Sequence, residues 1–231
     1  MLIGILQTGH APDALRPTHG DYDQLFERLL ADRGLSFRAW AVVDGDFPDG
    51  PDDAEGWLIT GSRHGAYDDL PWIARLEDFI REVQAARLPM VGVCFGHQVI
   101  AQALGGRVEK FAGGWSVGRQ VYDFAGEALA LNAWHQDQVV EAPPGAHVAA
   151  SSDFCANAAL VYGYEERPWA FTVQAHPEFG PDFLRDLARA RGRGLVPDAL
   201  LDAAEARAGE PTDAAVLADR IARFLQDRVA A

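Results

Sequence analysis

The chain has 231 residues, 48% of them hydrophobic, with 23 glycines and 13 prolines, enough to bury a real core in one compact domain. Its formal net charge of −14, with basic residues scattered among more numerous acids, argues against nucleic acid and anionic membranes as partners and reads as solubility charge. No stretch approaches the ~20 apolar residues of a membrane span, and the opening MLIGILQTGH has no basic region or cleavage site, so it reads as structure rather than a signal peptide.

In chain order, Leu2–Leu6 reads as a first buried strand. Leu25, Leu29 and Leu30 mark one face of a helix stopped by Gly34. Residues 37–43 read as a second strand, followed by the turn-rich DGDFPDGPDD, and residues 56–60 as a short third one. A long helix is predicted over Pro71–Ala86, with Ile73, Leu76, Phe79, Ile80 and Val83 on one stripe and Pro71 suited to its first turn. Met90–Val93 is the next strand, and a helix follows over 95–104, ended by Gly105 and Gly106. Strands alternating with helices imply parallel βαβ units, which need helices on both sheet faces. From residue 107 to about 162 the pattern changes to short strands and turns, read as antiparallel β additions to the sheet. A last buried strand, 169–173, leads into Gln174, and the tail from about Pro181 reads as two or three helices. The expectation is therefore a single α/β domain over residues 1–231, an open, mostly parallel sheet flanked by helices, with a helical carboxyl-terminal tail.

Within MVGVCFGHQVIAQALGG a buried strand ends at Val93, Cys94 follows, and a helix begins at once. Such a sharp strand–turn–helix bend is a nucleophile elbow, and Gly92 and Gly96 are the small neighbours it requires. Ligands in open α/β sheets bind at this carboxyl edge, and a helix amino terminus beneath the thiol favours the thiolate. Cys155, within SSDFCANAAL, reads as an inert core thiol; two cysteines are too few for a disulfide framework, so both are expected free, in the cytoplasm. In WAFTVQAHPEFG a second buried strand ends and presents His176 and Glu178, two apart and so on the same side of extended chain. A nucleophile, a base and a third group orienting that base is the arrangement of covalent catalysis.

Together G-V-C-F-G-H-Q and the later A-H-P-E resemble the class I glutamine amidotransferase family, and the likeness spans most of residues 1–180. TGSRHGAYDDLPWI followed by CFGHQ is similar to its stand-alone branch, the γ-glutamyl peptidases, and the chain also resembles the glutaminase domains of GMP synthases. The resemblance implies a flavodoxin-like fold, Cys94 as nucleophile, His176 as base, Glu178 as third member, and Gln98 as a substrate contact. It also implies an oxyanion hole in which the amide of Gly61 or Ser62 is one donor and that of Phe95 the other. WHQDQV would set His135 and Asp137 beside the substrate, and GGWSVG would bring Trp115 and Ser116 to its amino-acid head. His97 is expected in packing or a surface contact. The implied reaction is attack of Cys94 on the γ-carboxamide of glutamine or a γ-glutamyl compound, through a γ-glutamyl thioester, with no metal and no organic cofactor.

Three readings remain open on the sequence: a glutaminase subunit feeding ammonia to a separate synthetase, a stand-alone γ-glutamyl hydrolase, and a non-catalytic binding or regulatory module. An intact Cys94, His176 and Glu178 speaks against the last. No ATP-binding loop or synthetase domain is legible, so any amination would involve a partner chain. Leu217, Ile221 and Phe224 in the tail form a stripe read first as core packing, with a lid or a homodimer surface as alternatives. The stress-protein and intracellular-protease superfamily also uses a cysteine elbow, but its histidine follows the cysteine directly, where this chain has Phe95.

Overall fold

A seven-stranded sheet organises the chain, its strands lying side by side in the order Ser36–Trp40, Leu2–Leu6, Gly56–Ile59, Met90–Val93, Ala170–Val173, Ala159–Tyr162 and Ala146–Ala150. The structure, a computed structural model, describes residues 1–163 and 167–227. Strands β1 (Leu2–Leu6), β2 (Ser36–Trp40), β3 (Gly56–Ile59), β4 (Met90–Val93) and β11 (Ala170–Val173) run parallel; β10 (Ala159–Tyr162) and β9 (Ala146–Ala150) extend the sheet antiparallel. All four residues of β3, β4 and β11 are buried, as strands covered on both faces must be.

One face is covered by α3 (Pro71–Ala86) and α4 (Phe95–Ala103), the other by α2 (Tyr22–Leu29) and α7 (Ala214–Gln226). The α3 stripe is buried throughout, and Phe79 meets the ring of Trp57 edge-on at 4.8 Å. At about 1.5–3 kcal/mol for each large apolar side chain buried, such stripes supply the main driving force. Asp21 begins α2 with a capping box closed by Gln24, and a four-residue helix, α1 (Arg16–His19), precedes it.

Two expectations need correction. The second strand stops at Trp40 rather than running to residue 43, because the chain turns through a 3₁₀ segment, Val42–Asp44, closed by Gly45 at φ 87°. That turn leaves Val42 fully buried. The antiparallel stretch extends the main sheet only through β9 and β10. β5 (Arg107–Lys110) pairs with β8 (Asp137–Glu141), and β6 (Ser116–Phe124) with β7 (Glu127–His135), as separate ribbons. The β6–β7 hairpin turns at Ala125 and Gly126, both left-handed at φ 55° and 94°, the conformation that keeps two long strands closely paired. Its apolar face, with Tyr122, Phe124, Leu129 and Leu131, joins the core cluster of the sheet, so the hairpin lies over a face instead of lengthening an edge.

The tail forms three helices among the described residues: α5 (Pro181–Leu187), α6 (Asp198–Arg207) and α7. Leu217 and Ile221 are fully buried and the Phe224 ring lies 5.9 Å from Phe171, so this stripe is core packing.

Candidate active site

Cys94 stands at the start of α4 with φ 53° and ψ −102°, a backbone that a non-glycine residue adopts only when its surroundings impose it. They do so here through hydrogen bonds from the Cys94 N–H to Val173 C=O (2.8 Å) and from the Gly96 N–H to Thr60 C=O (3.2 Å). The two glycines let helix and strands close in: a Cβ on Gly92 would lie 2.5 Å from the Gly96 oxygen, and one on Gly96 2.4 Å from the Ile59 oxygen. The thiol thus meets a helix amino terminus whose first N–H, that of Phe95, has no intrahelical acceptor. The Phe95 ring is in the core, 5.6 Å from Trp72.

His176 and Glu178 follow β11, with Nδ1 of the histidine donating to Oε1 of the glutamate at 2.6 Å. The second nitrogen, Nε2, is therefore the one that hydrogen-bonds the Cys94 thiol. Burial alone depresses the imidazole pKa, but the charges of Cys94 and Glu178 and the hydrogen bonds to both override it and raise the value to about 10. The loop is held by β7: the His176 N–H donates to Asn132 C=O and the Asn132 amide to Phe179 C=O, each at 2.8 Å. Phe179 stacks on the imidazole with centroids 4.0 Å apart and planes at 6°.

The turn after β3 comes against this pair, since a Cβ on Gly61 would lie 2.9 Å from His176 Cε1. Hydroxyls of Thr8 and Thr60 donate to the Gly61 carbonyl at 3.0 and 3.1 Å. In a trans peptide the following N–H, that of Ser62, then points the opposite way.

A cavity of about 340 Å³ opens over the thiol, and Gly61, Ser62, Gln98, Trp115, His135 and Asp137 are among its walls. Gln98 donates to Asp137 C=O (2.9 Å) and to Gln174 Oε1 (3.1 Å), bracing the wall. His135 is buried, which pulls its pKa to about 3 and keeps it neutral. With its Nδ1 donating to Asp137 C=O at 3.2 Å, its Nε2 is an acceptor with no partner among the described residues. Asp137 receives the Tyr67 hydroxyl at 3.0 Å, and burial raises its carboxyl pKa. Ser116 departs from expectation: it is buried in β6, paired with His135, and is not among the residues that line the cavity. His97 is packing and not surface, fully buried with Nδ1 2.7 Å from the Thr172 hydroxyl. Cys155 is buried away from the cavity, which pushes its thiol up to about 12.

Residues 52–184 match the family model described as glutamine amidotransferase class-I. The chain belongs to this family. It is 34% identical over 188 residues to gamma-glutamyl peptidase 4 of Arabidopsis thaliana, covering 74% of this chain and 73% of that one. It is also 34% identical over 195 residues to one subunit of the glutamine-hydrolysing GMP synthase of Methanopyrus kandleri, covering 75% and 95%. In fold it superposes on the crystal structure of a glutamine amidotransferase from Methylobacillus flagellatus with a TM-score of 0.72 at 24% identity, over 98% of this chain and 92% of that one.

Several residues at the site of this family member escaped the sequence reading. Thr8 and Thr60 sit at strand ends, Asn132 lies mid-strand three residues before His135, and Tyr22 and Arg191 reach the cavity from segments far apart in the chain. No periodicity or spacing joins them. Phe179 alone had a signal, its place beside Glu178. Among the described residues no helix is long and apolar enough to cross a membrane, and no group of three or more His, Cys, Asp or Glu is placed to hold a metal ion.

Proposed function

We propose that this member of the family is a cysteine-dependent hydrolase of γ-glutamyl amides, with Cys94 as nucleophile. The observation that carries the reading is the run Cys94–His176–Glu178 on a strained elbow at the floor of the cavity. The Cys94 thiolate attacks the γ-carbonyl. Amides of Ser62 and Phe95 stabilise the resulting oxyanion; Ser62 is chosen over Gly61 because of the tethered Gly61 carbonyl. As the C–N bond breaks, His176 Nε2 gives its proton to the departing amine and a γ-glutamyl thioester remains. Neutral His176 then takes a proton from water, which attacks the thioester, releasing glutamate and the thiolate. Glu178 fixes the tautomer and stabilises the imidazolium. Asp137 and the lone acceptor Nε2 of His135 suit the α-ammonium of the glutamyl group, with Gln98 bracing that wall and Trp115 covering it.

The test is glutamate release by the purified chain, comparing L-glutamine with γ-glutamyl dipeptides. Cys94→Ala is expected to abolish turnover and Cys155→Ala to leave it nearly unchanged; substantial release by the Cys94→Ala protein would sink the mechanism. A second reading, a glutaminase that works only with a separate synthetase, draws on the likeness to the GMP synthase component. It predicts silence on every substrate alone, with Cys94 still alkylated by a glutamine-analogue electrophile.

A further inference from the structure

Helix α5 runs into a π-turn, Ala188–Gly192, and the arginines along this stretch divide into two groups. Arg185 pairs with Asp182 at 2.6 Å, Arg189 with Glu205, and Arg193 with Asp198 and Asp202 at 2.8 and 2.6 Å. Arg191, between the last two, is half-buried, lines the cavity that holds Cys94, and makes no hydrogen bond or ion pair among the described residues. A guanidinium keeps its charge at any accessible pH. Leaving one partly desolvated beside a pocket is unfavourable unless an anion completes it, and its planar fork matches a carboxylate in two-point contact.

The surroundings of Arg191 are apolar. Trp134 packs between two buried clusters, one containing Phe179, Phe183 and Leu187, the other Val196 and Leu201. Trp115 meets it edge-on at 6.4 Å, and Leu187 and Leu195 line the same cavity. Leu195 is 57% exposed, an apolar side chain at the rim with solvent as its neighbour. Position relative to the chemistry follows from Tyr22, whose phenol feels the charges of Arg191, Glu178 and Cys94 and whose ring stacks 6.2 Å from Phe179. Phe179 is in turn the ring stacked on His176. The amine that leaves collects its proton from His176, so its substituent extends on the side of the thiol where His176 and Phe179 lie. Leu187, Arg191 and Leu195 also lie beyond residues 52–184, so this wall is built by the tail and not by the family-matched segment.

We propose that the cavity contains a leaving-group subsite in which Arg191 pairs with the free carboxylate of an apolar amino acid whose α-amine carries the γ-glutamyl group, while Trp115, Trp134, Leu187 and Leu195 hold its side chain. This rests on the γ-glutamyl hydrolase reading and narrows it: the substrate class is a γ-glutamyl apolar amino acid. Ammonia leaving from glutamine would use none of these contacts.

The experiment compares γ-glutamyl-phenylalanine with γ-glutamyl-phenethylamide, which is the same compound without the carboxylate. Binding of each to the Cys94→Ala protein is measured by calorimetry, and turnover of each with Cys94 intact, in both cases with Arg191 and with Arg191→Met. The expected result is a preference for the carboxylate compound that falls roughly 10–100-fold in Arg191→Met and is partly restored in Arg191→Lys, with unfolding midpoints confirming that all variants fold. An equal preference in the Arg191 and Arg191→Met proteins, or binding of neither compound, overturns the subsite. Arg191-dependent binding with no glutamate released by the Cys94 protein removes the hydrolase reading and leaves the subsite standing. Turnover of both compounds with no carboxylate preference does the reverse.

Discussion

His176 is the residue on which the site's electrostatics turn. Its pKa is raised to about 10 against the loss by burial, so the imidazolium, which in the proposed mechanism supplies the leaving amine's proton, persists through neutral pH. A group raised in the folded state loses that form as pH climbs through the raised value, so the alkaline limb of kcat/KM is expected near pH 10 and not near the ordinary histidine value. Glu178→Gln keeps the shape of the 2.6 Å contact and removes one of the charges holding the proton. The limb should then move to lower pH, with kcat reduced on the order of 10²–10⁴-fold. A pH–rate profile for the two proteins checks this, and an unmoved limb would show that Glu178 does not tune the histidine. Arg191, by contrast, is a charge that lines the cavity with no hydrogen bond or ion pair among the described residues.

Elements supply the positions that residues exploit. The elbow works because α4 and its neighbouring strands approach closely enough to exclude any Cβ at Gly92 and Gly96. The histidine loop works because the β6–β7 hairpin, through Asn132, accepts from the His176 N–H and donates to Phe179 C=O. Asn132→Ala leaves that buried carbonyl without its donor, a loss of about 1–3 kcal/mol, and releases the ring stacked on His176. Urea unfolding should report the destabilisation, and steady-state kinetics a fall in kcat larger than any rise in KM. A change confined to stability would make Asn132 a scaffold residue only.

Across the whole molecule, the two faces of the sheet are closed by elements distant in sequence. The last helix, α7, covers the same face as α2, with Leu217 and Ile221 fully buried against the strands. Leu217→Ala is expected to cost about 2–5 kcal/mol in urea unfolding while leaving kcat per folded molecule little changed, because this packing is on the sheet face and the proposed catalytic residues are at its carboxyl edge. The tail also walls the cavity, with Leu187 at the end of α5 and Arg191 and Leu195 in the segment after it.

Sequence by itself determined the parallel core of this protein and the residues at its centre. Strand β1, helix α3 and strand β4 fall where apolar periodicity puts them, because each reports burial on its own element. Cys94, His176 and Glu178 were legible because short local motifs mark them: Cys94 directly follows β4, and His176 and Glu178 lie in the turn after β11. Tertiary structure alone decided that β5–β8 and β6–β7 are separate ribbons, that Ser116 does not line the cavity, and that Thr8, Asn132, Tyr22 and Arg191 converge on the site. Local pattern records whether a residue is buried, whereas which distant segments meet is set by how the layers pack.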